Sequence, residues 1–471
     1  MRTITMKFGG TSVGTPEAIA SVVHIITQSI QQQDRVIVVV SAMAGVTDML
    51  LESVRMAESG NRWGYLSTAQ KLRDRHDEAL NLLITPGQNR ERALAEVAEL
   101  LDEYTEICQA ISILKEATPR ILDAVVSYGE RLSSRVVAAV LRHHGVQARA
   151  FDAGEFLITN DAHQRAVPRW DVTQARIEQG LNPLLDQGVT PVITGFLGAT
   201  ETGAVTTLGR GGSDYSGAIF AAYTHSDELI IWTDVDGVMT TDPRVDRRAR
   251  VLPYVSYQEV GELAFYGAKV LHPKTVQPII DRGMPVRVRN TFNPNHPGTL
   301  ISANGEPTST VIKAVTSVRH VSLLTVSGKG MIGVPGIAGR TFLAAAQAGA
   351  NILMISQSSS EQSFCFLVTE NSAQNVQQAI ECELEAEIAA KDVDRVDIQS
   401  DVVIITAVGS GMRGTPGVAG RVFSVMGDAG INVVAIAQGS SECSISFVVE
   451  ERDLERAVTT LHNLALESVQ T

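Results

Sequence analysis

Short apolar runs alternate with helical stretches along the first 300 residues. Residues 3–8 form an apolar run that predicts a strand, and the turn Gly9-Gly10-Thr11-Ser12 follows it. Thr15-Pro16-Glu17 reads as an N-cap, a first-turn proline and a first-turn acid, opening a helix that continues to about residue 32. Residues 36–42 are nearly all apolar and rich in valine, the composition of a strand covered on both faces. From about residue 66 to 144 the pattern is helical, broken at Thr85-Pro86-Gly87 and Thr118-Pro119. Residues 147–151, 190–195 and 228–233 are further strand candidates. This alternation predicts α/β layering, a mostly parallel sheet with helices packed on it.

The C-terminal third repeats itself. A shift of 81 residues lays 323–368 on 404–449 without a gap, and 22 of the 46 pairs are identical, Gly328/Gly409, Pro335/Pro416 and Gln357/Gln438 among them. Two copies are too few for a solenoid, so the region is a duplicated unit. Each copy reads strand, Gly/Pro turn, helix, strand, short turn, strand, helix. In the first copy these are residues 322–326, 328–336, 337–348, 351–356, 358–362, 363–369 and 373–383. A strand candidate at 393–399 follows the first copy, while the second has only residues 467–471 after its last helix. Its missing edge is expected to come from upstream, and the apolar, β-branched stretch 310–318 suits it. The two copies are therefore expected to interlock.

Composition narrows the classes. At 471 residues the chain is long enough for about three domains. Hydrophobic residues make up 44% and charged ones 19%, which disfavours wholesale disorder. Thirty-nine basic residues against 52 acidic give a net charge of −13, which argues against a nucleic-acid partner. Cys108, Cys365, Cys382 and Cys443 include no C-x-x-C pair and fit free thiols in a reducing compartment. MRTITMKFGG has no signal-peptide core, and no apolar run is long enough for a membrane span, so a cytoplasmic protein without membrane contact is expected.

Four segments carry candidate chemistry: 7–12, 127–134, 207–215 and 232–244. A Gly-Gly turn between strand and helix admits phosphate oxygens to the backbone, although a tight turn without a ligand has the same pattern. Lys7 beside it favours the anion. Neither a P-loop nor a dinucleotide-binding fingerprint is present. In Thr207-Leu208-Gly209-Arg210-Gly211-Gly212-Ser213-Asp214 three glycines free the backbone, Arg210 offers a planar fork to a carboxylate, and Asp214 adds an anion. Thr233-Asp234 follows an apolar strand, where open α/β sheets place ligands, and an Asp-Gly turn explains the same residues. Arg244 reads as a phosphate clamp or a solvated charge, and Lys269 is equally open. Together they suggest phosphoryl transfer, which needs cations and backbone donors more than covalent help. Magnesium is expected on nucleotide phosphates, with no metal site of the protein's own.

KFGGTSV at 7–13, SYGERLSS at 127–134, TTLGRGGSDYS at 206–216, WTDVDGV at 232–238, TTDPR at 240–244 and FYGAKVLHP at 265–273 resemble the motifs of aspartate kinases. The resemblance implies an amino-acid kinase fold over 1–300, a mostly parallel sheet sandwiched by helices. Two ferredoxin-like ACT regulatory domains would follow at 310–390 and 391–471. It implies transfer of the γ-phosphoryl of ATP to the side-chain carboxylate of L-aspartate, the first step toward lysine, threonine and methionine. By the same resemblance Lys7 and Asp214 are catalytic. Ser41, Thr47, Glu130, Phe196, Thr207, Arg210 and Ser213 line the aspartate pocket, with Arg210 on the α-carboxylate and Glu130 on the ammonium. Lys7, Gly9, Gly10, Thr233, Asp234, Met239, Arg244, Lys269 and Val270 meet the nucleotide.

Met239 departs from the tyrosine that many relatives carry there. With Thr471 as the last residue, the dehydrogenase module that some relatives append is not expected. QSSSEQSFCF and QGSSECSISF resemble the repeats of threonine-sensitive members, with Asn351, Gln357, Asn432 and Gln438 as effector contacts. Threonine is the favoured inhibitor, lysine the runner-up, and a homodimer or homotetramer through the ACT domains is implied. Two alternatives stay open: a kinase of glutamate or acetylglutamate, and an amino-acid-binding regulator with an inactive kinase lobe.

Overall fold

The computed structural model describes residues 2–267, 271, 273–303, 311–332, 334–357, 362–439 and 441–466. They pack as two units, one of 2–238, 253–257 and 271–303, the other of 239–252, 258–267 and the described part of 311–466. The expected boundary near residue 300 thus differs from the packing, since two short stretches before it belong to the C-terminal unit.

The first unit contains, in chain order, β1 (Thr3–Phe8), α1 (Pro16–Gln31), β2 (Arg35–Val40), α2 (Val46–Glu58), α3 (Arg62–Leu83), α4 (Gln88–Leu114), α5 (Pro119–His143), β3 (Ala148–Phe151), α6 (Trp170–Gly180) and α7 (Asn182–Asp186). It continues with β4 (Thr190–Thr194), β5 (Leu197–Ala199), β6 (Val205–Thr207), α8 (Gly212–Tyr223), β7 (Glu228–Thr233) and β8 (Tyr254–Ser256). Next comes α9 (Tyr257–Phe265), most of which belongs to the second unit, then α10 (Pro273–Ile280), β9 (Val286–Asn290) and β10 (Thr299–Ser302). Eight strands make one sheet in the order β3-β4-β2-β1-β7-β9-β10-β8, parallel except between β9 and β10. β5 and β6 form a separate antiparallel ribbon.

Side chains of successive strand residues point to opposite faces. Val36, Val38 and Val40 accordingly enter one core with residues of α1 to α5, and Ile37 and Val39 enter another with Ile177, Leu185 and Phe220 of α6 to α8. The helices start where the sequence places stops. Thr15 Oγ1 accepts the Ala18 N–H at 3.3 Å and Thr118 Oγ1 the Ile121 N–H at 3.4 Å, each just before a first-turn proline. In the parallel register Phe8 lies opposite Val40 and Trp232, and Val40 opposite Thr194. Four strands therefore end at one level, and the turns after them open side by side.

In the second unit the chain runs β11 (Ala314–Ser327), α11 (Ile337–Gln347), β12 (Met354–Gln357), β13 (Ser363–Thr369), α12 (Glu370–Glu383), α13 (Glu385–Ala390), β14 (Arg395–Val408), α14 (Val418–Asp428), β15 (Ala435–Gln438), β16 (Ser444–Glu450) and α15 (Leu454–Leu466). These strands form one antiparallel sheet, β12-β13-β11-β14-β16-β15. The turn expected at 358–362 falls largely outside the described residues. The short strands expected at 322–326 and 393–399 belong to two 14-residue strands, each bent at a left-handed residue, His320 and Asp401, both at φ 57°. Residues 314–318 pair with 404–408, and 321–327 pair with 395–402. Ile312 and Val315 pack in the core of the second copy, while Val393 and Val396 pack in that of the first.

At each crossing stands a glycine. A Cβ on Gly328 would lie 2.1 Å from the Asp392 carbonyl oxygen, and one on Gly409 2.3 Å from that of Val311. Close backbone approach is the constraint here, because both residues are extended. Replacing Gly409 by alanine should destabilise this unit by about 1–3 kcal/mol through overpacking, read as a lower calorimetric transition. An unchanged transition would remove the steric role given to this glycine.

Candidate active site

β1 delivers Lys7 to the level where the strands end, and its buried ammonium pairs with Asp214 in the first turn of α8. The approach depends on Gly217, one turn further along α8, where a Cβ would sit 3.2 Å from that of Lys7. The Gly9 N–H donates to the Trp232 carbonyl at 3.1 Å, which extends the β1–β7 ladder into the turn. Ser12 Oγ reinforces this junction, bonding Thr291 Oγ1 at 2.7 Å and the Trp232 carbonyl at 3.3 Å. Gly10 lies where a Cβ would come within 3.0 Å of the Ala42 carbonyl oxygen, so the turns after β1 and β2 touch here. Ser41 donates its N–H to the Phe8 carbonyl at 3.1 Å, and Thr47 stands in the first turn of α2; both are partly exposed.

Glu130 of α5 reaches the same region. Its Oε1 accepts the Ala42 N–H at 3.2 Å, whereas its Oε2 is buried without a partner. Burial pushes this carboxyl up to about 8, against the opposing pull of the Ala42 N–H and the Lys7 charge. A buried acid with one free oxygen is suited to a cationic group brought by a ligand.

After β4 the chain turns through Phe196, a non-glycine residue at φ 65°, whose ring occupies the space a side chain at Gly212 would need. Left-handed Gly209 and Gly211 then carry the exposed Arg210 between β6 and α8, and Ser213 stands partly exposed beside Asp214. Thr207 at the end of β6 donates its hydroxyl to Asp123 Oδ1 at 2.7 Å.

Two contributors escaped the sequence reading. Arg75 of α3 bridges the turns after β1 and β2, donating at 2.8 Å to the Gly14 carbonyl and at 2.8 Å to that of Ala44. Nothing in the charge-rich stretch around it singled it out. Asp123 had a signal, an acid seven residues before Glu130 and hence on the same helical face.

Residues 2–290 match the Amino acid kinase family model, and 324–384 and 405–464 each match an ACT domain model. The chain belongs to the amino acid kinase family. Among its family relatives, the bifunctional aspartokinase/homoserine dehydrogenase 1 of Arabidopsis thaliana chloroplasts is 36% identical over 463 residues, covering 97% of this chain and 50% of that protein. Aspartokinase 1 of the same plant's chloroplasts is 33% identical over 481 residues, covering 99% and 80%. The chain spans about half the length of the bifunctional relatives it matches. Aspartokinase III of E. coli, solved with aspartate and ADP in an R-state, superposes with a TM-score of 0.81 at 30% identity, covering 99% of this chain and 100% of that one. Its T-state, solved with lysine and aspartate, gives 0.79 at 30% identity, with coverage of 99% and 100%.

In this member of the family the remaining expected residues fall in different places. Thr233 closes β7 and donates to Asp234 Oδ1 at 3.1 Å. Asp236 anchors that turn by accepting from Asn290 at 2.9 Å and Asn293 at 3.1 Å. Met239 and Arg244 belong to the second unit, Met239 bridged to Val251 and Arg244 exposed and paired with Asp242. Lys269 and Val270 lie outside the described residues. Each ACT copy holds a hollow: about 350 Å³ lined by Met331, Pro335, Ile337, Gln357 and Phe364, and about 420 Å³ lined by the equivalents Met412, Pro416, Val418, Gln438 and Ile445. Asn351 and Asn432 are exposed and do not line them.

Glu130 gives the site a pH signature. Its folded value near 8 exceeds the ordinary 4.5, so the folded protein keeps a proton that the unfolded chain has lost between these values. Stability from this group is complete below about pH 4.5 and declines as pH rises through about 8. The melting temperature of Glu130→Gln, relative to wild type, should therefore climb across that window. A constant difference would contradict the buried, partnerless carboxyl.

Proposed function

We propose that the protein is an aspartate kinase, transferring the γ-phosphoryl of ATP to the side-chain carboxylate of L-aspartate to give 4-phospho-L-aspartate and ADP. The observation that carries this reading is the Lys7–Asp214 ion pair beside a buried Glu130 with one partnerless oxygen. A zwitterionic dicarboxylate needs one anion for its ammonium and a cation for each carboxylate. Glu130 would take the ammonium, Arg210 the α-carboxylate, and Lys7 the region where the side-chain carboxylate meets the phosphoryl group. Asp214 keeps the Lys7 ammonium directed across the end of β1. Ser41, Thr47, Phe196 and Ser213 would shape the pocket, and Thr207 would hold its edge through Asp123.

The nucleotide would lie over the turns after β1 and β7. The Gly9 N–H is committed to Trp232, so Gly10 is the glycine left to present an amide to phosphate. Thr233 and Asp234, at the end of β7, would face the nucleotide, while nucleotide contacts by Met239, Arg244, Lys269 and Val270 rest on the resemblance of their motifs alone. Magnesium would arrive on the phosphates and neutralise charge during transfer. The catalytic domain of this reading spans 1–300, the ACT domains 310–390 and 391–471, and the setting is the cytoplasm, at the entry to lysine, threonine and methionine synthesis.

The ACT hollows would bind an amino-acid inhibitor through Gln357 and Gln438, with Asn351 and Asn432 at their approaches, and the ACT region would pair subunits into a homodimer or homotetramer. Threonine is favoured by the resemblance of QSSSEQSFCF and QGSSECSISF to the repeats of threonine-sensitive members. Lysine is the second reading, favoured by the likeness to a lysine-bound aspartokinase III.

Measuring ADP release with aspartate, glutamate and acetylglutamate separates the kinase readings, and aspartate alone should support turnover. Lys7→Ala should lower kcat by about 100- to 1000-fold or more while nucleotide binding survives, and Arg210→Ala should mainly raise the aspartate KM. Normal turnover in Lys7→Ala would overturn its role. Millimolar threonine should slow the wild-type enzyme; if threonine and lysine, singly and together, leave the rate unchanged, the regulatory reading falls.

A further inference from the structure

Asp123 is buried on α5 at 1% exposure and is not neutralised by a lysine or arginine among its described partners. Its carboxylate is instead saturated with hydrogen bonds. Oδ1 accepts from Thr207 Oγ1 at 2.7 Å and the Gln164 N–H at 3.2 Å, and Oδ2 accepts from His163 Nδ1 at 2.7 Å and the same N–H at 3.1 Å. Those donors come from two places, the loop of His163 and Gln164 and the end of β6, where the loop carrying Arg210 begins. Gln164 is itself held left-handed at φ 69°, a conformation a glutamine adopts only where its surroundings enforce it. The loops are tied to each other as well, with the Ala166 N–H donating to the Thr207 carbonyl at 2.9 Å.

Three residues beyond Thr207 comes Arg210, and seven residues beyond Asp123 comes Glu130. Seven residues are close to two helical turns, so Asp123 and Glu130 face the same way from one rigid helix. The two groups that would grip an amino-acid head are thus referenced to a single element, Glu130 directly and Arg210 through the Thr207–Asp123 bond. A buried carboxylate is a costly way to fasten a loop that merely had to be covered. It is an effective way to fix a distance, because each of its oxygens accepts along a defined direction.

We propose that Asp123 is a positioning residue that sets the spacing between Arg210 and Glu130, and so tunes recognition of the α-amino and α-carboxylate groups of the acceptor. This rests on the aspartate kinase reading above. In Asp123→Asn the amide NH2 would face donors, and the loop should loosen. The expected result is a rise of about tenfold in the aspartate KM, with the ATP KM within about twofold and kcat little changed. Thr207→Val, which removes one bond and keeps the volume, should move the same parameter in the same direction, and Thr207→Ser, which keeps the hydroxyl, should move it by less. A merely structural role would not predict two further readouts. With 3-aminopropanoate, which lacks the α-carboxylate, Asp123→Asn and wild type should perform alike. Combined with Arg210→Ala, Asp123→Asn should add little to the loss.

An unchanged aspartate KM, equal rises in both KM values, or full additivity with Arg210→Ala would overturn the proposal. If Asp123→Asn fails to fold, Thr207→Val and Thr207→Ser decide by the same split. A wild-type enzyme inactive toward aspartate would sink the kinase reading itself and this proposal with it, an outcome distinct from an active enzyme indifferent to these substitutions.

Discussion

The parallel register of the central strands is the constraint on which the site depends. Because Phe8, Val40, Thr194 and Trp232 stand at matched levels, the chain leaves the sheet several times along one edge. Backbone groups just beyond that edge have lost their ladder partners and must find others. The Gly9 amide turns to Trp232, Ser41 to Phe8, and the Gly14 and Ala44 carbonyls to the Arg75 guanidinium. The functional turns are thus continuations of the sheet's own hydrogen bonding, held further by Val13, Ala42 and Met43, which pack from them into the core.

The electrostatics of the site differ from those of the whole chain. With a net charge of −13 the surface repels anions at long range, but screening confines that effect to roughly 10 Å. Within the site, one buried ammonium, one exposed guanidinium and the first turn of α8 set the local field. Glu130 is held at the other extreme, close enough to feel Lys7 and too deeply buried to stay charged without a partner.

Much of this was legible in the sequence where local chemistry decides local structure. Thr15-Pro16 and Thr118-Pro119 mark helix starts because capping needs only neighbouring residues, and β7 coincides with residues 228–233 because an unbroken apolar run has one plausible conformation between turns. The Lys7 and Arg210–Asp214 segments drew attention through unusual density of glycine and charge. What escaped depends on distant partners. Asp123 meets Thr207 across 84 residues and Arg75 meets Gly14 across 61, and periodicity reports which face is buried without naming what buries it. The same gap hid the membership of 239–252 and 258–267 in the second unit. The continuity of the two 14-residue strands escaped as well, because the left-handed His320 and Asp401 inside them leave no mark in the sequence pattern.

The exchange of strands between the two ACT copies bears on how such a region changes over generations. A recombination joint between residues 390 and 391 would look harmless in a linear map, since it falls between repeats. In three dimensions it would separate Val393 and Val396 from the core they complete, and Val315 from the other. Either repeat inherited singly would carry an unpaired strand edge and an underfilled interior. The pair is therefore the smallest heritable module: the copies diverge residue by residue, as Gly328 and Gly409 have declined to do, but are gained or lost together.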